Sequence, residues 1–195
     1  MRTTFPTTTT AADKGAAAQE YTARGWTVAE TTNGLCLITD DEVSAIEITG
    51  EIAGDVRRFL RANNLSGPVI EIPGQERREI HLVTGVRKAA MAIEAMREAG
   101  VIVHTDGASI PLPPTQLAAG SASWGVAPTE ARWIPPVVAL GAAVRSAMAR
   151  RQTGKLFTPV SPGGERDGRA VIRPTGTSRA DRPHPALLSL ITRKS

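Results

Sequence analysis

An α+β domain, a mostly antiparallel sheet with helices packed on it, is the fold class this sequence predicts. Three observations carry the expectation. Apolar residues recur at helical spacing over 51–63 and 87–99. Short apolar or alternating runs, at 26–30, 35–39, 44–49, 69–72, 78–83 and 101–104, read as strands. Turn dipeptides such as Asn33-Gly34 and Asp106-Gly107 separate them. The resulting order is helix, three strands, helix, two strands, helix, two strands, helix, which suits a layered sheet-and-helix domain.

Each element has a local reason. Residues 11–24 are Ala-rich, with Ala17 and Tyr21 on one side and Gly25 as the stop. Asn33-Gly34 predicts a hairpin between the first two strands, and Asp40-Asp41-Glu42 turns the chain into the third, as a solvated turn rather than a metal site. The helix over 51–63 buries Ile52, Val56, Phe59 and Leu60, and Ser66-Gly67-Pro68 ends it. Strand 78–83 is expected to be half-buried, with Ile80 and Leu82 inward and Glu79 and His81 outward. The helix over 87–99 turns Ala90, Ile93 and Met96 inward and stops at Gly100. Asp106-Gly107 predicts a second hairpin, leading into a short strand. Pro113-Pro114 then bars helix and ladder alike. Pro135-Pro136 opens a last helix over 137–150.

Charge divides the chain. Residues 1–150 carry 14 Lys/Arg and 16 Asp/Glu, whereas residues 151–195 carry 9 and 3. The domain is therefore expected over 11–150. A Thr-rich disordered lead (1–10) precedes it, and a disordered basic tail rich in Gly and Pro (151–195) follows. Tail residues Arg166, Arg169, Arg173, Arg179 and Arg182 are candidate nucleic-acid contacts, and so are Arg57, Arg58, Arg61, Arg77 and Arg78 in the body. Glu51 and Asp55 share the 51–63 helix with the first three, so a solvated outer face is the competing reading. Trp124 and Trp133 are expected as core pins beside the Pro-rich loop, with base stacking as the alternative. Cys36, the single cysteine, excludes an internal disulfide or a zinc cluster and is expected to be buried. No apolar run approaches the roughly 18 residues of a membrane span, and the start has no signal-peptide pattern, so a soluble cytoplasmic protein is expected.

Three segments carry a likeness. They are Ala16-Ala-Ala-Gln-Glu-Tyr-Thr-Ala-Arg-Gly-Trp-Thr-Val, the strand Ala45-Ile-Glu-Ile-Thr-Gly, and the block from Gly107 through Pro113-Pro114-Thr115 and Gly120 to Trp124. In order and spacing they resemble the bifunctional DNA primase/polymerase amino-terminal (prim-pol) domain, a branch of the archaeo-eukaryotic primase superfamily. The resemblance spans about residues 11 to 150 and implies a primase/polymerase-like α+β core. In that family the middle strand carries Asp-x-Asp, whose carboxylates share one strand face and hold two metal ions. Glu47 and Thr49 stand there in this chain. A neutral hydroxyl does not replace the second carboxylate of a magnesium site. The family's longer segment after the first helix is replaced by a tight hairpin. Its Gly-rich turn is replaced by Pro73-Gly-Gln-Glu-Arg-Arg, and His81 stands later than the family histidine.

These departures imply a degenerate site. Glu47, Thr49 and His81 are its vestigial candidates, with no catalytic residue and no cofactor. The function implied is a nucleic-acid-binding or replication-associated accessory module, with DNA or RNA held through the tail and a helicase or other replication protein as partner. Two alternatives stand beside it: an active Mg²⁺-dependent nucleotidyltransferase with a rearranged site, and a protein-interaction module with no nucleic-acid role.

Overall fold

The structure, a computed structural model, describes residues 11–156. Helix α1 (Ala11–Ala23) leads into the hairpin β1 (Val28–Thr31) and β2 (Gly34–Ile38), closed with Thr31 opposite Gly34. Strand β3 (Ser44–Thr49) and helix α2 (Glu51–Ala62) follow, then β4 (Val69–Ile72) and β5 (Arg78–Val83). The expected 87–99 helix is split into a 3-10 turn at Val86–Lys88 and helix α3 (Ala90–Glu98). Strands β6 (Ile102–His104) and β7 (Ser109–Leu112) come next, then the small pair β8 (Gln116–Leu117) and β9 (Gly120–Ser121), and β10 (Ser123–Val126). Helix α4 (Val137–Leu156) closes the described chain. Among the described residues no helix is long and apolar enough to cross a membrane.

The larger sheet runs β10-β4-β5-β3-β6 and the smaller β1-β2-β7, and every pairing in them is antiparallel. The large sheet is covered on both faces. On one side Ile46 and Ile48 pack with Val56 and Leu60 of α2, Met96 of α3 and Leu140 of α4. On the other, Ala45, Ile70, Ile80 and Leu82 pack with Tyr21 of α1, Leu35 and Leu37 of β2, and Ile110 and Leu112 of β7. Fully burying each Leu or Ile stabilises by about 1.5–3 kcal/mol, so the aliphatic content suffices where aromatics are few.

An aromatic trio anchors α1 to this second core. Tyr21 stacks on Trp26 with centroids 5.6 Å apart and meets Trp124 edge-on at 5.9 Å. The Trp124 indole donates to the Tyr21 hydroxyl at 3.1 Å, and that hydroxyl donates to the Pro113 carbonyl at 2.7 Å. Burial pushes the Tyr21 phenol up, which keeps it a neutral donor. The Pro113-Pro114 bond is cis.

Several expectations are corrected. Asp106-Gly107 makes a left-handed turn, but it does not close a hairpin. Strand β6 before it pairs with β3 in the large sheet, and β7 after it pairs with β2 in the small one. Thr39 takes the turn's hydrogen bonds, accepting from Gly107 and donating to Ala108. Glu79 and His81 do not face outward; both are buried, because β5 is a central strand of a doubly covered sheet. Trp124 pins the core as expected, whereas Trp133 is 47% exposed. The trio already fills the aromatic part of that core. Cys36 is half-buried on β2. Helix α4 runs past the expected boundary at 150, and Arg151 ion-pairs with Glu51 and Asp55 of α2. The lead (1–10) and residues 157–195 of the expected tail lie outside the described residues.

Thr115 fastens the chain after β7. Its buried hydroxyl accepts from Leu35 N at 2.9 Å and lies 2.7 Å from the Leu35 carbonyl. Thr115→Val keeps the shape and strands the Leu35 N–H. Urea unfolding should show a loss of about 1–3 kcal/mol; an unchanged midpoint would contradict this fastening role.

Candidate functional site

Two charged clusters occupy opposite faces of the large sheet. The first forms around Glu47 on β3. Register places Thr49 opposite Arg78 of β5 and Ala45 opposite His104 of β6. Both partners therefore stand diagonal to Glu47 on its own face. Arg78 Nε donates to Glu47 Oε1 at 2.8 Å, and His104 Nε2 meets Oε2 at 3.0 Å. The carboxylate is buried, while Arg78 is half-exposed and His104 mostly covered. Its two oxygens are each taken by a nitrogen ligand. Thr49, partly buried, adds only a neutral hydroxyl on the same face.

That donor set does not fit Mg²⁺, which binds through carboxylate oxygens and substrate phosphates. A guanidinium and an imidazole already occupy the two Glu47 oxygens. Among the described residues, no group of three His, Cys, Asp or Glu side chains is placed to hold a metal ion.

The second cluster lies on the helix-covered face. Glu71 of β4 and Glu79 of β5 are direct cross-strand neighbours. Like charges in that relation repel. Arg57 of α2 reaches between them and bonds both carboxylates, and Arg77 bonds Glu79 from the strand end. Gly125 of β10 makes room: a Cβ there would fall 2.3 Å from Arg57 Nη2 and 2.9 Å from the Glu71 side chain. His81 stands two residues along β5, with Nε2 at 3.5 Å from Glu79 Oε2 and no hydrogen-bond partner. Burial by itself would raise the Glu79 carboxyl. His81, Arg77 and Arg57 outweigh burial and hold the carboxyl at about 2.

The candidate residues therefore separate. Glu47 and Thr49 share a face with Arg78, and His81 lies on the opposite one. Arg57 is only 17% exposed and turns into the protein rather than onto an outer face. Arg77 and Arg78 are each committed to a glutamate. Arg58 is open to solvent beside Asp55, and Arg61 is exposed. Arg166, Arg169, Arg173, Arg179 and Arg182 lie outside the described residues. His104 was missed, because its partner is 57 residues away and only strand register joins them. Arg57 had a signal: Ala53, Val56, Arg57 and Leu60 form one i, i+3, i+4, i+7 stripe, and Glu71 and Glu79 sit in apolar strands that need a counter-charge.

Comparison with protein-family models, curated proteins and solved structures returns no match.

The Glu79 carboxyl lies below its ordinary value of 4.5. The stability it contributes is complete above about pH 4.5 and is lost as pH falls toward 2. An acid titration of unfolding free energy should show that loss, and Glu79→Gln should flatten it over the same window. Arg57→Ala leaves Glu71 facing Glu79 with Arg77 as the one remaining cation of the cluster, and should cost about 3–5 kcal/mol at neutral pH. A variant with Arg57→Ala that unfolds like the parent would contradict the network.

Proposed function

We propose that this chain is a cytoplasmic, catalytically degenerate primase/polymerase-like domain that serves as a nucleic-acid-binding accessory module of replication. Sequence order and spacing support the ancestry. The occupied Glu47 carboxylate is the observation that carries the degenerate reading: the Arg78 guanidinium and a ring nitrogen of His104 take the two oxygens that metal ions would take in a two-metal site. Loss of phosphoryl-transfer chemistry leaves binding as the surviving role, with a helicase or other replication protein as its partner.

The charge distribution supports contact through the end of the chain. With α4 assigned to the body, residues 1–156 carry 16 Lys/Arg and 16 Asp/Glu, and residues 157–195 carry 7 and 3. The whole net charge of +4 thus belongs to the last 39 residues. Such a segment gains affinity for nucleic acid by releasing counterions, with little preference for sequence.

Two outcomes follow. Purified protein should add no nucleotides to a primed template with Mg²⁺ or Mn²⁺; robust synthesis abolished by Glu47→Ala would overturn the degenerate reading. On a labelled duplex, affinity should fall with salt at a log–log slope of about −3 to −5, for roughly four to six phosphate contacts. Truncation after Leu156 keeps α4 whole and should remove most of this binding. Equal affinity and slope for the two proteins would place the contact on the body.

A further inference from the structure

Beside the aromatic trio is a cleft of about 330 Å³ whose lining includes Trp26, Trp133, Pro68, Pro128, Arg24 and Arg132. No carboxylate lines it. Trp133 is the exposed aromatic of the described residues, with 47% of its surface open, while Trp26 is buried at the inner side. Arg132 has no ionic partner among the described residues. Arg24 is held in place by Glu20 at 3.1 Å and by the Pro128 carbonyl at 3.4 Å.

The platform is rigid for a loop. A Cβ at Gly67 would fall 2.2 Å from Pro135 Cδ, so the 133–135 backbone rests directly on the chain ahead of β4. Thr84 N donates to the Pro135 carbonyl at 3.0 Å, and Val137 N returns to the Thr84 carbonyl at 2.9 Å. Ala131 N donates to the Ala127 carbonyl at 2.9 Å. An exposed indole on a pinned backbone loses little freedom on binding a flat partner.

We infer that this cleft is a stacking site for an unpaired nucleobase, with Trp133 as platform and Arg24 and Arg132 holding the adjoining phosphate. The inference rests on the nucleic-acid reading above and gives the folded body its own contact. A flat apolar face beside two cations, with no carboxylate in the lining, matches a base and its phosphate. A proline-rich peptide would use the aromatic groove and the prolines but leave Arg132 without a counter-charge, since only Arg24 has one, from Glu20. Stacking needs a free base face, so the site selects single strands over duplex.

The test is fluorescence anisotropy of a labelled oligothymidylate titrated with the full-length chain. Trp133→Ala should weaken binding by about 5- to 100-fold and leave the salt slope unchanged, because stacking releases no counterions. Trp133→Phe should recover most of the affinity. Arg132→Ala should lower the slope by about 0.7. Both side chains are exposed, so thermal unfolding of each variant should match the parent, and duplex binding should change less than single-strand binding. Three results would overturn the inference. If Trp133→Ala binds oligothymidylate like the parent, the stacking site falls while the nucleic-acid reading stands. If the full-length parent binds no oligonucleotide at all, both fall. If oligonucleotide binding is untouched and Trp133→Ala instead abolishes capture of a labelled proline-rich peptide, the cleft is a peptide groove.

Discussion

Arg57 bonds two carboxylates that face each other across neighbouring strands, and the arrangement of helix on sheet depends on that contact. Glu79 has no exposed surface, so water cannot solvate it. On the helix side Arg57 and Arg77 supply the cations that a buried carboxylate needs. A buried ion pair adds little net stability over a well-packed apolar substitute, since desolvation offsets most of the attraction. Its force is in selection. A shift of α2 by one turn would withdraw the guanidinium and leave Glu71 and Glu79 opposed. The network thus favours one register of α2 on the sheet, and α2 carries α4 with it through the apolar core that Val56 and Leu60 share with Leu140 and Val144.

The same sheet meets the same difficulty on its other face with different partners. Glu47 is buried beside apolar residues of the smaller sheet and takes Arg78 and His104 from the two flanking strands. In both clusters a carboxylate on an interior strand is neutralised from within the fold. The chain therefore carries acidic residues in its central strands without presenting an acidic surface there. The Glu47 carboxylate is committed to a guanidinium and an imidazole. For it to accept a metal ion, both partners would have to withdraw, at a cost of the kind measured when buried pairs are broken.

The elements up to β7 and the last helix were legible because each depends on local spacing, whereas β8, β9 and β10 form in the small-residue stretch that reads as a loop. The β3 run 44–49, the α2 stripe and the Gly-bounded α3 carry their own patterns. What failed depended on neighbours far away in sequence. The alternation of Arg78–Val83 reads as inside and outside only when one face meets water, and a second layer built from β1, β2 and β7 removes that premise. Asp106-Gly107 has the local chemistry of a hairpin turn, yet each flanking strand finds its better partner in a different sheet. Trp124 and Trp133 are indistinguishable by type; the Tyr21–Trp26 pair decides which one is enclosed. The Glu47–His104 contact left no trace in sequence. The Arg57 contact did, in an arginine lying on a buried stripe.

The end of α4 changes how charge should be apportioned. Residues 1–150 alone carry a slight negative excess. Extending α4 to Leu156 and docking Arg151 on α2 makes residues 1–156 neutral in total. A neutral body exerts little long-range pull on a polyanion, so its own contacts act at short range, where geometry decides. The cluster arginines are spent on glutamates, and Arg58 lies beside Asp55. Arg132 differs, because among the described residues it has no ionic partner and it lines, with the Glu20-paired Arg24, a cleft beside an exposed indole. On the proposed function, two kinds of contact would divide the work by range: the excess charge beyond residue 156 would gather a polyanion from a distance, and a small aromatic surface on the folded domain would distinguish an unpaired base once it arrived.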